Sequence, residues 1–298
     1  MSLKNIVNKA TNKSNFSDIQ GFIKFCDEFL SYIGNNLQAI IISQNENHYR
    51  FYQYDRSGNF QITRPINSNL MYDFQSFKRN SKEYLRVLRN IKTINRNDST
   101  IRELINNSTY TIQQSIGAAL DALPAGKSNT ARKLNGDLFE HFIRLIIREI
   151  GLQCDAGVVQ IPVIMNDEKL FDMSYQHDLI IKKEDEIKLL GSIKTSSKDR
   201  IDKIFIDKFL YNKLTEKQTP HIAIFLNDVQ RKNTSKKNEY GINATFLPGH
   251  FKGYTIKLNP LDGVYYCDIR PNMLTESTLK DHIKTFDNLL ITDIWKFL

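Results

Sequence analysis

Residues 171–200 read FDMSYQHDLIIKKEDEIKLLGSIKTSSKDR. FDMSYQHDLII (171–181) and IKLLGSIKT (187–195) have the apolar, β-branched content of strands, and the charged KKEDE between them reads as a turn. Antiparallel strands joined this tightly bring Asp178 of the first and Lys194 of the second to the same end of a sheet. A carboxylate at that place can hold a divalent cation, which takes hard oxygen ligands. A lysine beside it can position an attacking water and offset negative charge in a transition state.

The flanking segments suit a layered α/β or α+β core. GDLFEHFIRLIIREIG (136–151) is an amphipathic helix closed by Gly151 and carrying Glu140. DRIDKIFIDKFLYNKL (199–214) is a second helix, with Asp202 and Asp207 about 140° apart around it, so the two cannot share one role. HIAIFLND (221–228) reads as a short buried strand and QRKNTSKKNEYG (230–241) as a polar, basic loop. Residues 244–270 return to strands around a turn at 260–263, and 278–298 close the chain as a helix.

Before the core, residues 18–41 place Phe22, Phe25, Phe29 and Ile33 at helical spacing. NHYRFYQYDRSGNFQITR (47–64) predicts an aromatic-rich hairpin turning at Asp55–Gly58. The stretch 72–106 is helical and basic, carrying Lys78, Arg79, Lys82, Arg86, Arg89, Lys92, Arg96 and Arg102, a face suited to a phosphate backbone. A further helical run, 111–123, leads to a turn-rich linker at 124–136. These shifts divide the chain into an accessory region, 1–125, fitted for DNA contact or dimerisation, and a core domain, 126–298. Asp121–Ser128 resembles a phosphate-binding loop, but Asp121 stands where its first glycine belongs and a helix precedes it, so a nucleotide site is not expected.

Composition narrows the class. Of 298 residues, 41% are hydrophobic and 25% charged, which suits a globular chain and excludes a disordered or fibrous one. A net charge of +8 favours a polyanionic partner. No run is long and apolar enough for a membrane span, and the polar N-terminus lacks a signal-peptide core, so an intracellular protein with no membrane partner is expected. Cys26, Cys154 and Cys267 form no CxxC pair, which argues against disulfides and structural zinc. The histidines show no HxxxH pairing, and His177 reads as a sheet-edge side chain.

Taken in order, Gly136…Phe139-Glu140, Asp178, Ser192…Lys194, Lys198-Asp199-Arg200 and Asp207 resemble the PD-(D/E)xK type II restriction endonucleases that read CCGG-type and CC-N-GG-type sites. In that group the second metal-binding acid has moved from the strand, leaving SxK, to the following helix. The resemblance covers roughly residues 130–228, and the first ~110 residues carry no match to it. It departs from the pattern at His177 for proline, Lys198 for arginine and Asp207 for glutamate. The resemblance implies a mixed central sheet flanked by helices and a Mg²⁺-dependent cut of double-stranded DNA at a short palindrome containing CC:GG. It implies Asp178, Asp207 and Glu140 as metal-binding acids, with Lys194 and Ser192 completing the catalytic set. It implies Lys198, Asp199 and Arg200 as base readers. It further implies a homodimer or tetramer, a cognate DNA methyltransferase, and the cytoplasm of a bacterium or archaeon. The alternatives are a repair or recombination nuclease on the same core and a non-cleaving DNA-binding protein.

Overall fold

The computed structural model describes residues 1–54, 62–124, 126–198, 201–236 and 238–298. Asp18, Asp73 and Asp98 each cap a helix by accepting a backbone N–H from its first turn, which sets the starts of α2 (Ile19–Asn36), α3 (Phe74–Arg89) and α4 (Ser99–Leu120), after a short α1 (Leu3–Thr11). Between α2 and α3 run β1 (Leu37–Ile42), β2 (Tyr49–Tyr54) and β3 (Ile66–Asn67); α5 (Ser128–Glu149) follows α4. Next come β4 (Cys154–Met165), β5 (Glu168–Lys183), β6 (Glu186–Ser196), α6 (Ile201–Thr215) and β7 (His221–Asn227). The chain continues through β8 (Val229–Asn233), β9 (Tyr240–Ala244), α7 (Pro248–Lys257), β10 (Gly263–Tyr266) and β11 (Ile283–Thr285). It divides into two compact units, Met1–Ile146 with Val229–Ala244, and Ile147–Asp228 with Thr245–Leu298. No helix among the described residues is long and apolar enough to cross a membrane. The three cysteines are buried and free.

The first unit is mainly helical. Phe22, Phe25, Phe29 and Ile33 are buried along α2, as their spacing requires. The helix stops at Asn36, however, because the β-branched run Ile40-Ile41-Ile42 pairs as β1 with β2. The expected hairpin is therefore shifted: β2 lies between β1 and β3, and its antiparallel partner beyond the turn is Ile66–Asn67. Thr63 joins it, its N–H donating to the Tyr52 carbonyl at 3.2 Å and its hydroxyl accepting the Tyr52 N–H at 2.8 Å. The turn itself lies outside the described residues. The stretch 72–106 is two helices rather than one, broken before the Asp98 cap, and Lys78, Arg79, Lys82, Arg86 and Arg89 lie on the exposed side of α3. Asp121 accepts the Arg64 guanidinium through both carboxylate oxygens, at 2.8 and 2.9 Å, a structural pairing at the position where a phosphate loop would need glycine. The expected linker shrinks, since α5 begins at Ser128 and runs through Gly136 without a breaker. The loop expected at 230–241 carries a hairpin instead, β8 and β9, because Val229 and Ile242 bury against Tyr49 and Phe51.

The second unit is a six-stranded mixed sheet in the order β11-β10-β7-β6-β5-β4, flanked by helices. β4, β5 and β6 are antiparallel; β6, β7, β10 and β11 run parallel. Glu184 and Asp185, both at positive φ (51° and 62°), close the β5–β6 hairpin. α6 and α7 cover one face, with Ile204, Phe205 and Phe251 on Ala223, Phe225 and Tyr266. Two segments differ from the sequence expectation. Within 244–270, Pro248 opens helix α7 with Phe251 and Thr255 inward. Within 278–298 the closing helix is broken, because Ile283–Thr285 adds a strand beside β10 and Asp293 binds Lys284, Lys296 and Tyr265.

Gly191 faces Leu179 in the last pair of the β5–β6 ladder. A Cβ there would lie 3.1 Å from Cβ and Cδ2 of Leu179 and 3.3 Å from Cγ1 of Ile222, both fully buried side chains that would have to give way. Gly191→Val should therefore destabilise the protein by roughly 1–3 kcal/mol, read by chemical denaturation. Wild-type stability in this variant would show that the two strands part more easily than their packing implies.

Candidate active site

The β5–β6 ladder ends at Leu179 and Gly191, and the next residues, Asp178 and Ser192, begin a fork. Beyond it β6 continues on β7, with Ser192 beside Ala223 and Lys194 beside Phe225. Ser192 and Lys194 are half-buried while Ile193 between them is in the core, so period-2 alternation puts both polar side chains on one face. Asp178 bridges the fork: its Oδ2 accepts the Ile193 backbone N–H at 2.9 Å and the Lys194 ammonium at 2.5 Å. The carboxylate is 12% exposed and the lysine 30%, so the pair is partly shielded yet open to a ligand.

The residues after Lys194 are tied down by hydroxyls. Ser196 and Ser197 meet the Thr245 hydroxyl at 3.2 and 3.1 Å, and Thr245 donates to the Asp228 carbonyl. The Lys198 backbone N–H donates to Ser196 Oγ, and its side chain is in the exposed layer. Asp199 and Arg200 lie outside the described residues.

His177, expected at a sheet edge, is buried. A break in the β4–β5 register at this point turns its ring inward, where it stacks on Tyr175 and meets Tyr211 and His221 edge-on, the latter two at 5.9 Å. Neither His177 Nε2 nor His221 Nε2 has a hydrogen-bond partner among the described residues, while His221 Nδ1 lies 2.9 Å from the Thr219 carbonyl. Burial lowers the His177 pKa; the fields of Asp207 and Asp178 oppose it, and Lys203 adds to it. Burial pushes His221 down to about 4 against an opposing bond to Thr219. Burial raises the Tyr175 hydroxyl, and the charge of Asp207 adds to this.

Asp207 and Asp178 thus act on the same imidazole. Asp207 also pairs with Lys203 one turn earlier on α6. Asp202 instead turns to His250 of α7, at 3.5 Å. Glu140 is half-buried on α5, within the first unit. Among the described residues no three acidic, histidine or cysteine side chains converge into a metal cage. Mg²⁺ keeps water and substrate phosphate oxygens around it and needs only one or two protein carboxylates, so the Asp178 carboxylate at the fork could hold it without such a cage. Tyr211 and His221 were not anticipated as part of this site. The inward spacing of Tyr175 and His177 was the available signal, but their partners come from elements further along the chain.

No protein-family model and no curated protein matches the sequence. Among solved structures, the crystal structure of the Type IIP restriction endonuclease Kpn2I is similar over 99% of this chain and 97% of that one, with TM-score 0.69 and 19% identity. The restriction endonuclease PspGI in complex with substrate DNA matches 74% of this chain and 88% of that one, with TM-score 0.44 and 12% identity. The Kpn2I likeness establishes the fold: a mixed sheet flanked by helices of the PD-(D/E)xK restriction-endonuclease type.

The buried imidazoles give stability a pH dependence. His221 in the folded chain titrates near 4 against an ordinary 6.5, so below 6.5 the unfolded chain takes up the proton first. Stability is full above about pH 6.5 and falls as pH drops towards 4, by about 3 kcal/mol from this group. His177 adds in the same direction. Denaturant titrations across this range should show a shallower decline in His221→Gln than in wild type. Identical slopes would mean that the ring is not held neutral.

Proposed function

We propose that this protein is a site-specific endonuclease for double-stranded DNA, using Mg²⁺ and acting as a homodimer on a palindrome. The observation that carries the reading is the Asp178–Lys194 pair at the fork of a mixed sheet of this topology. Mg²⁺ bound at this fork supplies charge stabilisation to the scissile phosphate and a more acidic water. Asp178 and Asp207 hold the cation, and Glu140, assigned by resemblance, completes the acidic set. Lys194 orients the attacking water through the ammonium that Asp178 fixes, and its charge offsets that developing on the phosphate. Ser192, on the same face as Lys194, stands where other members of the fold carry a strand acid, which is the reason for assigning the helix acid Asp207. Asp207 is preferred to Asp202 because its field reaches His177, adjacent to Asp178, whereas Asp202 faces His250. Two copies related by a two-fold cut one strand each. An enzyme of this kind needs a methyltransferase that shields the same sites in host DNA.

Phage DNA incubated with the protein and Mg²⁺ should give discrete fragments. A smear would identify a nuclease without sequence preference, and intact DNA with a gel shift a non-cleaving binder. Asp178→Ala, Lys194→Ala and Asp207→Ala should each lower cleavage by at least ~10²-fold, and Asp202→Ala should cleave nearly as wild type. Calorimetric titration should show weaker Mg²⁺ binding in Asp178→Ala and Asp207→Ala, independently of turnover. A fully active Asp178→Ala would end the nuclease reading.

Specificity is assigned to Lys198, Asp199 and Arg200, which follow the strand that presents Lys194. Arginine can donate twice to guanine O6 and N7, and aspartate can accept from cytosine N4, which suits C·G pairs as in a CC:GG site. Arg200→Ala should cost roughly 1–3 kcal/mol on the cognate duplex and far less on unrelated DNA. An equal loss on every duplex would make Arg200 a phosphate contact.

A further inference from the structure

β5 pairs with β6 only from Leu179 to Lys183, whereas β4 and β5 pair from Cys154 and Ile181 out to Met165 and Glu168. Residues 157–177 are therefore a two-stranded ribbon that runs past the sheet. It is built rather than loose: Asn166 and Asp167 close it at positive φ (51° and 65°), and Ser174 donates to Gln160 at 2.8 Å. Its inner side packs towards its own α6: Val159 and Met173 of the ribbon and Leu210 and Leu214 of the helix all border the buried cluster that holds Ile161, Tyr175 and Tyr211.

The outer end is apolar and acidic. Ile164, Met165, Leu170 and Phe171 are each more than half exposed, at 60, 58, 52 and 56%. An exposed cluster of this kind marks a binding surface. Asp167, Glu168 and Asp172 outnumber Lys169, in a chain whose net charge is +8. Phosphates would repel this tip, so DNA is not its partner; a basic protein surface suits it. The outer side of α6 offers an apolar face with a lysine at each end, Lys203 being held by Asp207. Ile206 and Phe209, three residues apart and 44% and 40% exposed, lie between the exposed Lys203 and Lys213.

We propose that the ribbon is a dimerisation arm, the tip of each copy docking on the Ile206–Phe209 face of α6 in a second copy. The exchange is reciprocal, giving two equivalent contacts about a two-fold axis. Its purpose, though not its chemistry, rests on the nuclease reading, which needs two copies at one duplex site. Docking would also brace the helix that carries Asp207.

The test is sedimentation of the full chain without DNA or Mg²⁺. Wild type should be dimeric at about 10 μM, and Leu170→Ser/Phe171→Ser and Ile206→Ser/Phe209→Ser should each weaken dimerisation at least ~100-fold. The altered side chains are solvent-exposed, so circular dichroism should stay native. If the ribbon variant does not fold, Glu168→Lys/Asp172→Lys replaces it and should be equally monomeric. An equimolar mixture of ribbon and α6 variants keeps one intact contact per pair and should form a heterodimer that neither variant forms alone. A monomeric wild type, a folded ribbon variant that remains dimeric, or a mixture without heterodimer would overturn the arm. Discrete DNA fragments from a protein that fails these tests would leave the nuclease reading standing alone; successful complementation without cleavage would do the reverse.

Discussion

Oδ2 of Asp178 accepts from the Ile193 backbone N–H and from the Lys194 ammonium across the point where β5 and β6 cease to pair. Beyond that point β6 has no β5 ladder, and its N–H on that side would lose a partner at a cost of roughly 1–3 kcal/mol if buried alone. The carboxylate takes the place of the missing strand. It also turns the Lys194 chain, which could adopt many rotamers, towards one fixed acceptor. The fork therefore has an architectural reason to be acidic before any reaction is considered. The same two bonds leave an ion pair on an accessible face, with Ile193 in the core behind it.

What could be read from the sequence was whatever short-range geometry decides. Asp178 and Lys194 belong to one hairpin, so strand alternation and a tight charged turn sufficed to bring them together. The buried stripe of α2, Phe22, Phe25, Phe29 and Ile33, was legible for the same reason, but its end was not, because Leu37–Ile42 leave the helix to pair with β2. The misread segments are those whose conformation comes from a distant partner. Val229 and Ile242 make strands of a basic stretch because Tyr49 and Phe51 need cover. Three residues at 283–285 become a strand because β10 offers an edge. Pro248 was visible, but its apolar neighbours suit a strand and a helix equally.

The environment of His177 belongs to this second kind. Its neighbour Asp178 is found by motif, yet Tyr211 and His221 reach the ring from α6 and β7, and no local pattern announces them. Two imidazoles buried side by side would repel each other if both were charged, and burial already favours the neutral form. The cluster is thus a neutral aromatic support under the fork, touched by the fields of both Asp178 and Asp207. Proline, which the resembling enzymes carry there, could stiffen the strand but could not pack in this way.

Helix α6 joins these arguments. Its apolar residues do not form one stripe: Ile204 and Phe205 enter the core, Tyr211 meets the histidines, and Ile206 and Phe209 face outward. A surface helix with one buried side has no need of this pattern. It arises when a helix is asked to bury more than one face, and the outward pair is the face that its own unit leaves uncovered. Asp207 sits between Ile206 and the inward positions, paired with Lys203. A covering partner that removed water from Ile206 and Phe209 would restrict the turn that fixes this carboxylate. Under the proposed arm exchange, assembly and the geometry of the acid would be set by the same two turns of helix.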